Sequence, residues 1–582
     1  MLRLTELRLP LEHGETALRK AIVARLQIGD AQLRGFSVFR SSYDARKRSA
    51  IQLIYTIDCD VDDEAGILAR VVADPALRQS PDLRYHFVCE PGRAGRKPAP
   101  PRPLVIGFGP CGLFAALLLA QMGLAPIVIE RGRKVRERTQ DTWGLWRRGV
   151  LDPESNVQFG EGGAGTFSDG KLWSQVSDPR HLSRKVLTEF VKAGAPQEIL
   201  SVAKPHIGTF RLVGVVEKMR AQIEALGGEI HFQQRVTDVL IEDGQVRGVT
   251  SASGEQWRSD HVVLALGHSA RDTFAMLQTR GVFMQAKPFS IGFRIEHPQG
   301  LIDRARLGPN AGNALLGAAD YRLVHHASNG RSVYSFCMCP GGTVVAATSE
   351  AGHVVTNGMS QYSRNERNAN AGIVVGIAPH DYRQNSRSHG EVNPLDGVAF
   401  QRKWEARAFE LGGGMYHAPG QRVGDFLAAR RSTALGGVEP SYKPGVTLTD
   451  LGEPGRPSLP EYAISAIREA LPAFERNLAG FSMPDAMLTG VETRTSSPLR
   501  MTRGSDFQSV NVAGLYPAGE GAGYAGGIMS AAIDGIEVAE AVARAMLGIA
   551  EPAPLKEAAV KEPTVKEAAL KGRPRSPAPP PP

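Results

Sequence analysis

The residues whose types and spacing most plainly suit chemistry are glycines. Gly107-Phe-Gly109-Pro110-Cys111-Gly112 follows the apolar run Leu104–Ile106 and opens the apolar stretch Leu113–Met122, which Gly123 ends. In a strand–turn–helix of this kind Gly107 permits the tight turn, Gly109 lets the backbone approach a pyrophosphate, and Gly112 lets the helix pack on the strand. The helix start adds unpaired N–H groups and partial positive charge. Glu130 ends the next apolar run, Ala125–Ile129, 23 residues after Gly107. A carboxylate there accepts from the ribose hydroxyls of an adenosine half, and Arg131 follows it. Cys111 reads either as a reactive thiol or as the small side chain the turn requires.

Context carries this reading, because 64 glycines in 582 residues yield roughly 0.8 matches to the six-residue pattern by chance. Matches begin at Gly107, Gly160 and Gly521. Around the second, Gly163, Ala164, Gly165, Thr166 and Lys171 offer many backbone amides. Gly165–Lys171 fits an NTPase phosphate loop up to Leu172, which cannot ligate Mg²⁺, so a clamp over a cofactor pyrophosphate or ring edge is the expectation. The third lies between the strand at Leu515 and a helix Ile528–Met546, with no strand after it. It is therefore no second βαβ unit, and Gly519, Glu520, Gly526, Gly527 and Ile528 are expected to close the same site with helix N-terminal amides.

The elements between these segments set the cofactor class. A helix Val213–Leu226 is expected, then strands Glu229–Phe232, Thr237–Glu242 and Gln245–Ser251 as a three-stranded meander, and a last strand His261–Leu266 ending at Gly267. Val236 and Gly267 join the expected cofactor contacts. A contiguous NAD domain would instead continue alternating strands and helices. The pattern resembles the FAD domain of glutathione-reductase-like flavoproteins. Those proteins carry Asp where this chain has Glu520, one methylene longer, which bears on the ribityl contact.

Ahead of Leu104, residues 1–90 read in the order βαββαβ, ending in a strand Leu83–Cys89, which is the ferredoxin-like order. Its loop Arg40–Arg48 concentrates cations around Tyr43, suited to phosphate or RNA or to a solvated hairpin tip. Residues 91–103 hold five prolines and read as a stiff linker. The tail 550–582, with Lys-Glu pairs and a run of prolines, reads as disordered.

The segments SSYDARKR, GFGPCGLFAA, GEGGAGTFSDGKL, CMCPGG, NGMSQYSRNERNAN, ETRTSSPLR and YPAGEGAGYAGGIMSAAIDG resemble those of the bacterial FAD-dependent dehydrogenases, a family of NAD(P)/FAD-dependent oxidoreductases. The resemblance implies an α/β fold: a glutathione-reductase-type FAD-binding Rossmann fold (104–286 and 489–549), an inserted mixed α+β substrate domain (287–488) and the ferredoxin-like domain. It also implies FAD as cofactor, with NAD(P)H as a candidate co-substrate.

Strand-like runs Ser290–Ile295, Leu323–Ala327, Arg331–Phe336 and Val344–Ala347, a turn at Ser328–Gly330 and a helix Glu461–Leu478 are expected in the insertion. Cys337-Met-Cys339 reads as a redox pair or, since one intervening residue strains a disulfide, as alternate residues of a strand end. Arg364, Arg494 and Arg500 suit an anionic substrate, reduced flavin, or plain packing, and His268 suits the cofactor or a cap. Catalytic residues are not assigned. No His/Cys ligand spacing is present, so no metal is expected.

Net charge is +8, of which residues 1–97 carry +3 and residues 551–582 carry +2. The nearly neutral remainder makes nucleic acid a weak expectation. Five sparse cysteines, no charged start leading into an apolar run, and a longest apolar stretch far short of about 20 residues point to a cytoplasmic protein without membrane spans. The expected reaction moves a hydride through non-covalent flavin to or from a small organic substrate. A flavin-dependent RNA-modifying protein and a non-catalytic FAD-binding protein are the other readings.

Overall fold

The computed structural model describes residues 1–71, 74–89, 101–383 and 392–550. The expected linker 91–103 lies largely outside the described residues, and so do residues 551–582 of the expected tail.

A five-stranded parallel sheet runs in the order Leu515–Pro517, Val262–Leu264, Leu104–Ile106, Ile127–Ile129, Glu229–His231. The Pro110–Gln121 helix beside it is apolar all round, with Cys111 to Ala120 buried. A helix of that composition must be covered on every face. The Ile528–Leu547 helix covers it closely: a Cβ on Gly535 would stand 2.3 Å from the Cys111 carbonyl oxygen, so glycine sets the crossing distance.

The Glu229–His231 strand corrects the expected meander. It follows the Thr209–Ala225 helix through Gly227-Gly228 and joins the parallel sheet against Ile127–Ile129, the helical crossover that a parallel pair requires. The antiparallel meander is instead Val236–Glu242, Gln245–Ser251 and Gln256–Arg258.

The insertion is built on a seven-stranded sheet in the order Val324–His326, Ser332–Cys339, Asn368–Ile377, Phe289–Pro298, Met487–Glu492, Ala418–Arg422, Val446–Leu448. Its central strands Phe289–Pro298 and Asn368–Ile377 pair over ten residues. Packed against them is the Glu461–Asn477 helix, whose Ile464, Ile467, Leu471 and Phe474 enter the core. Met487–Glu492 crosses the expected boundary at 488, so this sheet runs straight into the Glu492–Thr495 segment that reaches the parallel sheet.

At the N-terminus a sheet in the order Leu33–Asp44, Gln52–Val61, Leu2–Pro10, Leu77–Gln79 is antiparallel throughout. Arg3 and Asp58, both buried, pair through two bonds of 2.8 Å. The strand expected at Leu83–Cys89 is absent. Tyr85, Phe87 and Cys89 pack on the core around the Pro110–Gln121 helix, and the Tyr85 hydroxyl donates to Glu540 at 2.8 Å. Alternating apolar residues there serve side-chain packing, and Leu77–Gln79 takes the sheet edge. No helix among the described residues is long and apolar enough to cross a membrane.

Candidate functional site

A cavity of about 390 Å³ lies between the parallel sheet and the seven-stranded sheet. Residues 107–111 line it together with residues 526–531, although more than 400 residues separate them in sequence. Gly107 turns the chain at φ +98°, and a Cβ there would meet the Ala265 carbonyl oxygen at 2.7 Å. Gly163 lies so close to Gly109 that a Cβ on it would stand 2.8 Å from the Gly109 Cα. The middle glycine segment is thus folded directly onto the first.

Two long helices begin at this cavity, at Pro110 and at Ile528, and neither has a side-chain cap. Their orphan N–H groups and dipoles favour negative charge. Gly267 and Gly526 line the cavity, and a Cβ on either would meet nothing within 4 Å. Open space in front of bare backbone, at two uncapped helix starts, fits an extended anionic dinucleotide.

Of the expected contacts, Gly107, Gly109, Pro110, Cys111, Glu130, Arg131, Gly163, Ala164, Gly165, Lys171, Val236, Gly267, Glu520, Gly526, Gly527 and Ile528 line the cavity. Gly112, Thr166 and Gly519 do not. A Cβ on Gly112 would overlap the Gly107 carbonyl at 1.9 Å, so its role is packing. Thr166 is buried beside Gly162, and the Gly519 amide donates to Asp534 at 2.6 Å.

Glu130 lines the cavity and also holds backbone. Its carboxylate accepts from the amides of Phe108, Gly132 and Gly160 at 2.8, 2.8 and 3.0 Å. It ties the first glycine turn to the middle glycine segment. Arg131 lies over the Phe159 ring at 4.0 Å and pairs with Glu154 and Asp272. Burial pushes the Cys111 thiol well above its ordinary range, which favours the small-residue reading over reactivity. Leu172 is buried and the next helix begins only at Leu182, so the segment lacks the helix that opens directly from an NTPase phosphate loop.

Arg138, fully buried, organises the loop that carries Gly160 and Gly163. Its guanidinium donates to the carbonyls of Asn156, Gly160, Glu161 and Val157 at 2.8, 3.3, 2.7 and 2.7 Å. Arg138→Met leaves those acceptors unpaired, each costing about 1–3 kcal/mol if it stays buried. Chemical denaturation is expected to show a loss of several kcal/mol, and FAD affinity is expected to fall with it.

The insertion contributes further lining residues: Phe336, Cys337 and Glu492 from the seven-stranded sheet, Asn357 from the Thr356–Ser360 strand of a two-stranded sheet, and Thr495 from the segment after Glu492. Arg294 pairs with Glu492 at 2.5 Å and donates to Asn357 at 3.0 Å. Burial pushes the Glu492 carboxyl up to about 7, against the pull of Arg294. Lys171 donates to the Met338 carbonyl and lies 3.7 Å from Asp169, which Arg364 also binds at 3.0 Å. His268 is buried, with neither ring nitrogen hydrogen-bonded, and its Nδ1 lies 3.3 Å from Glu520 Oε1. Arg494 is paired with Glu405, and Arg500 lies over Tyr524 at 5.2 Å. In the basic loop Arg46 pairs with Asp44 at 2.5 Å, and Asn310 donates to the Arg48 carbonyl at 2.7 Å. Among the described residues no group of His, Cys, Asp and Glu suits a metal ion.

Comparison with known proteins places this geometry. Residues 288–495 match the model of the FAD-dependent protein, C-terminal domain-like family, and residues 202–309 match that of FAD dependent oxidoreductases. Residues 1–60 match a domain of unknown function. An uncharacterised protein of Clostridium beijerinckii is 44% identical over 542 residues, 93% of this chain and 98% of that one. Among solved structures, a glycine oxidase from Bacillus cereus is 10% identical over 77% of this chain and 98% of its own, with a TM-score of 0.33. The flavin-dependent brominase Bmp2 is 14% identical over 77% and 79%, with a TM-score of 0.34. The chain belongs to the FAD-dependent oxidoreductases, and FAD is its cofactor.

Proposed function

We propose that the cavity holds FAD along the Gly107–Gly112 turn and the start of the Ile528–Leu547 helix, and that a small organic substrate meets it at the seven-stranded sheet. The observation that carries this reading is the single cavity lined by Gly109, Gly526 and Glu492. The antiparallel meander between Glu229–His231 and Val262–Leu264 supports a glutathione-reductase-type fold. The N-terminal strand order supports a ferredoxin-like module. Five free cysteines support a reducing, cytoplasmic setting.

FAD, when bound, would supply the hydride chemistry. The chain's own groups position and protonate. The two helix starts and the Ala164–Gly165 backbone would hold the pyrophosphate, and Glu520 with His268 would lie along the polyol chain. Glu492 holds or releases a proton near neutrality. Among the described residues one all-parallel sheet is present, so NADH or NADPH, where used, docks transiently in the cleft.

Anaerobic mixing with NADH, NADPH and candidate substrates, read by flavin bleaching, tests the reaction. A donor or oxidisable metabolite that bleaches the flavin is expected, and none doing so in either direction contradicts turnover. The rate of bleaching is expected to change with an inflection near the Glu492 value of about 7. In Glu492→Gln that inflection is lost and the rate falls by roughly a hundredfold or more. A profile unchanged by the substitution removes Glu492 from proton handling.

A further inference from the structure

We propose that Cys337 and Cys339 form a redox-active dithiol that exchanges an electron pair with the flavin, giving the site a second electron carrier. This rests on the FAD reading above. Spacing alone speaks against such a pair, because residues i and i+2 of a flat strand stand roughly 6.6 Å apart at about 3.3 Å per residue. That is near the upper limit of about 6.8 Å for a disulfide.

The Ser332–Cys339 strand is not flat at this point. Its pairing with Asn368–Ile377 slips between Phe336 and Cys339, and Cys337 takes φ +42°. A left-handed residue in a bulge bends the strand and re-aims its side chains. Cys339 Sγ donates to the Cys337 carbonyl at 3.3 Å, so the bulge turns the second thiol back onto the first cysteine.

The two sulfurs are not equivalent. Cys337 lines the cavity beside Lys171 and Glu492, whereas Cys339 is fully buried behind it. Lys171 donates to the Met338 carbonyl, and Arg294 donates to the Cys337 carbonyl at 2.9 Å, so two cations flank the bulge. The neighbouring Cys339 side chain, with Lys171 and Arg294, holds the Cys337 thiol well below its ordinary range, while Cys337 and burial leave Cys339 well above it. A more acidic sulfur lining the cavity and a less acidic one behind it is the asymmetry that dithiol redox sites use.

The step balances with FAD as the oxidant. The Cys337 thiolate and Cys339 thiol join in an S–S bond, the Cys339 S–H bond breaks, and two electrons pass to oxidised FAD. FAD takes one proton and ends as the singly protonated, anionic reduced form, so charge and protons are conserved. The reverse step reduces the disulfide. A small dithiol or disulfide entering the cavity and reaching Cys337 is the class of external partner this site fits.

Anaerobic dithionite titration of the air-oxidised holoenzyme tests the pair. Wild type is expected to take up two electron pairs per FAD, and Cys337→Ser or Cys339→Ser one. Alkylation after rapid denaturation, mapped by mass spectrometry, gives a readout that depends on no variant. Cys337 and Cys339 are expected to be blocked in the oxidised protein and modified after reduction. A yellow wild-type protein that takes one pair, with both cysteines alkylated before reduction, overturns the dithiol and leaves the flavin assignment standing.

Discussion

Gly267→Val and Gly526→Val are each expected to lower FAD affinity at least about a hundredfold, equivalent to roughly 3 kcal/mol, while leaving the apoprotein folded. Neither glycine has a positive φ, and a Cβ on either meets nothing within 4 Å. The added Cβ atoms therefore strain no backbone and meet no protein atom within 4 Å. They occupy the space in front of two segments of distant sequence that line one cavity. Substitutions of this kind in open space change stability by about 0.5 kcal/mol or less. Wild type gains stability from bound cofactor, about 2.7 kcal/mol at a hundredfold excess over Kd. Thermal unfolding with and without added FAD separates the cases: a large shift for wild type and almost none for either variant. A variant that retains stoichiometric FAD contradicts the placement.

The largest loss of stability is expected from Glu405→Leu. Glu405 is fully buried and accepts from Arg271 at 2.7 and 2.9 Å, from Arg494 at 3.1 and 2.9 Å, and from Thr493 at 2.8 Å. Arg271 begins the helix after the parallel sheet, Glu405 lies on the Asp396–Leu411 helix, and Arg494 follows the last long strand of the insertion. The cluster thus joins the two halves that enclose the cavity. Removing the carboxylate leaves two buried guanidiniums with Glu350 alone between them, and breaking such a pair costs about 3–5 kcal/mol. Denaturant unfolding is expected to show that loss, and Arg271→Met with Arg494→Met in the same chain to recover much of it. A cost below about 1 kcal/mol would mean that water reaches the cluster.

The same carboxylate gives a pH dependence. Burial alone would raise it, but Arg271 and Arg494 prevail and hold it well below the usual carboxylate range. Its contribution is present above the unfolded value of about 4.3 and is lost as pH falls through the folded value. Glu405→Leu is therefore expected to flatten the acid limb of the stability profile. Glu492 has the opposite sign: its raised value favours the folded state at low pH, a contribution lost as pH rises through about 7.

Sequence reasoning reached what local chemistry determines. The Gly107–Gly112 turn, the helix after it and the closing Ile528 helix are each specified by a few adjacent residues, and 16 of the expected contacts line the cavity. Its errors arose where pairing at a distance decides. Glu229–His231 is as short as a meander strand, and only the helix delivering it to Ile127–Ile129 makes it parallel. Leu83–Cys89 has strand-like alternation, but its aromatic rings find a hydrophobic surface before its backbone finds a partner. Glu130 lines the cavity, as its spacing suggested, and the fold in addition brings the Gly160 amide to its carboxylate. Asn357 and Glu492 enter the site from two different sheets, through pairings that no spacing in the sequence encodes. Cys337 and Cys339 were visible as a pair, but the bulge that turns the second thiol back onto the first cysteine was not.

Diffraction from crystals grown with FAD tests the central claim most directly. Density for one FAD per chain is expected to run from Glu130 past Gly109 and Gly163 to the start of the Ile528 helix, with its ring system toward Cys337 and Glu492. FAD bound elsewhere on the chain, or a cavity closed by its own side chains while the protein is yellow, would contradict the account.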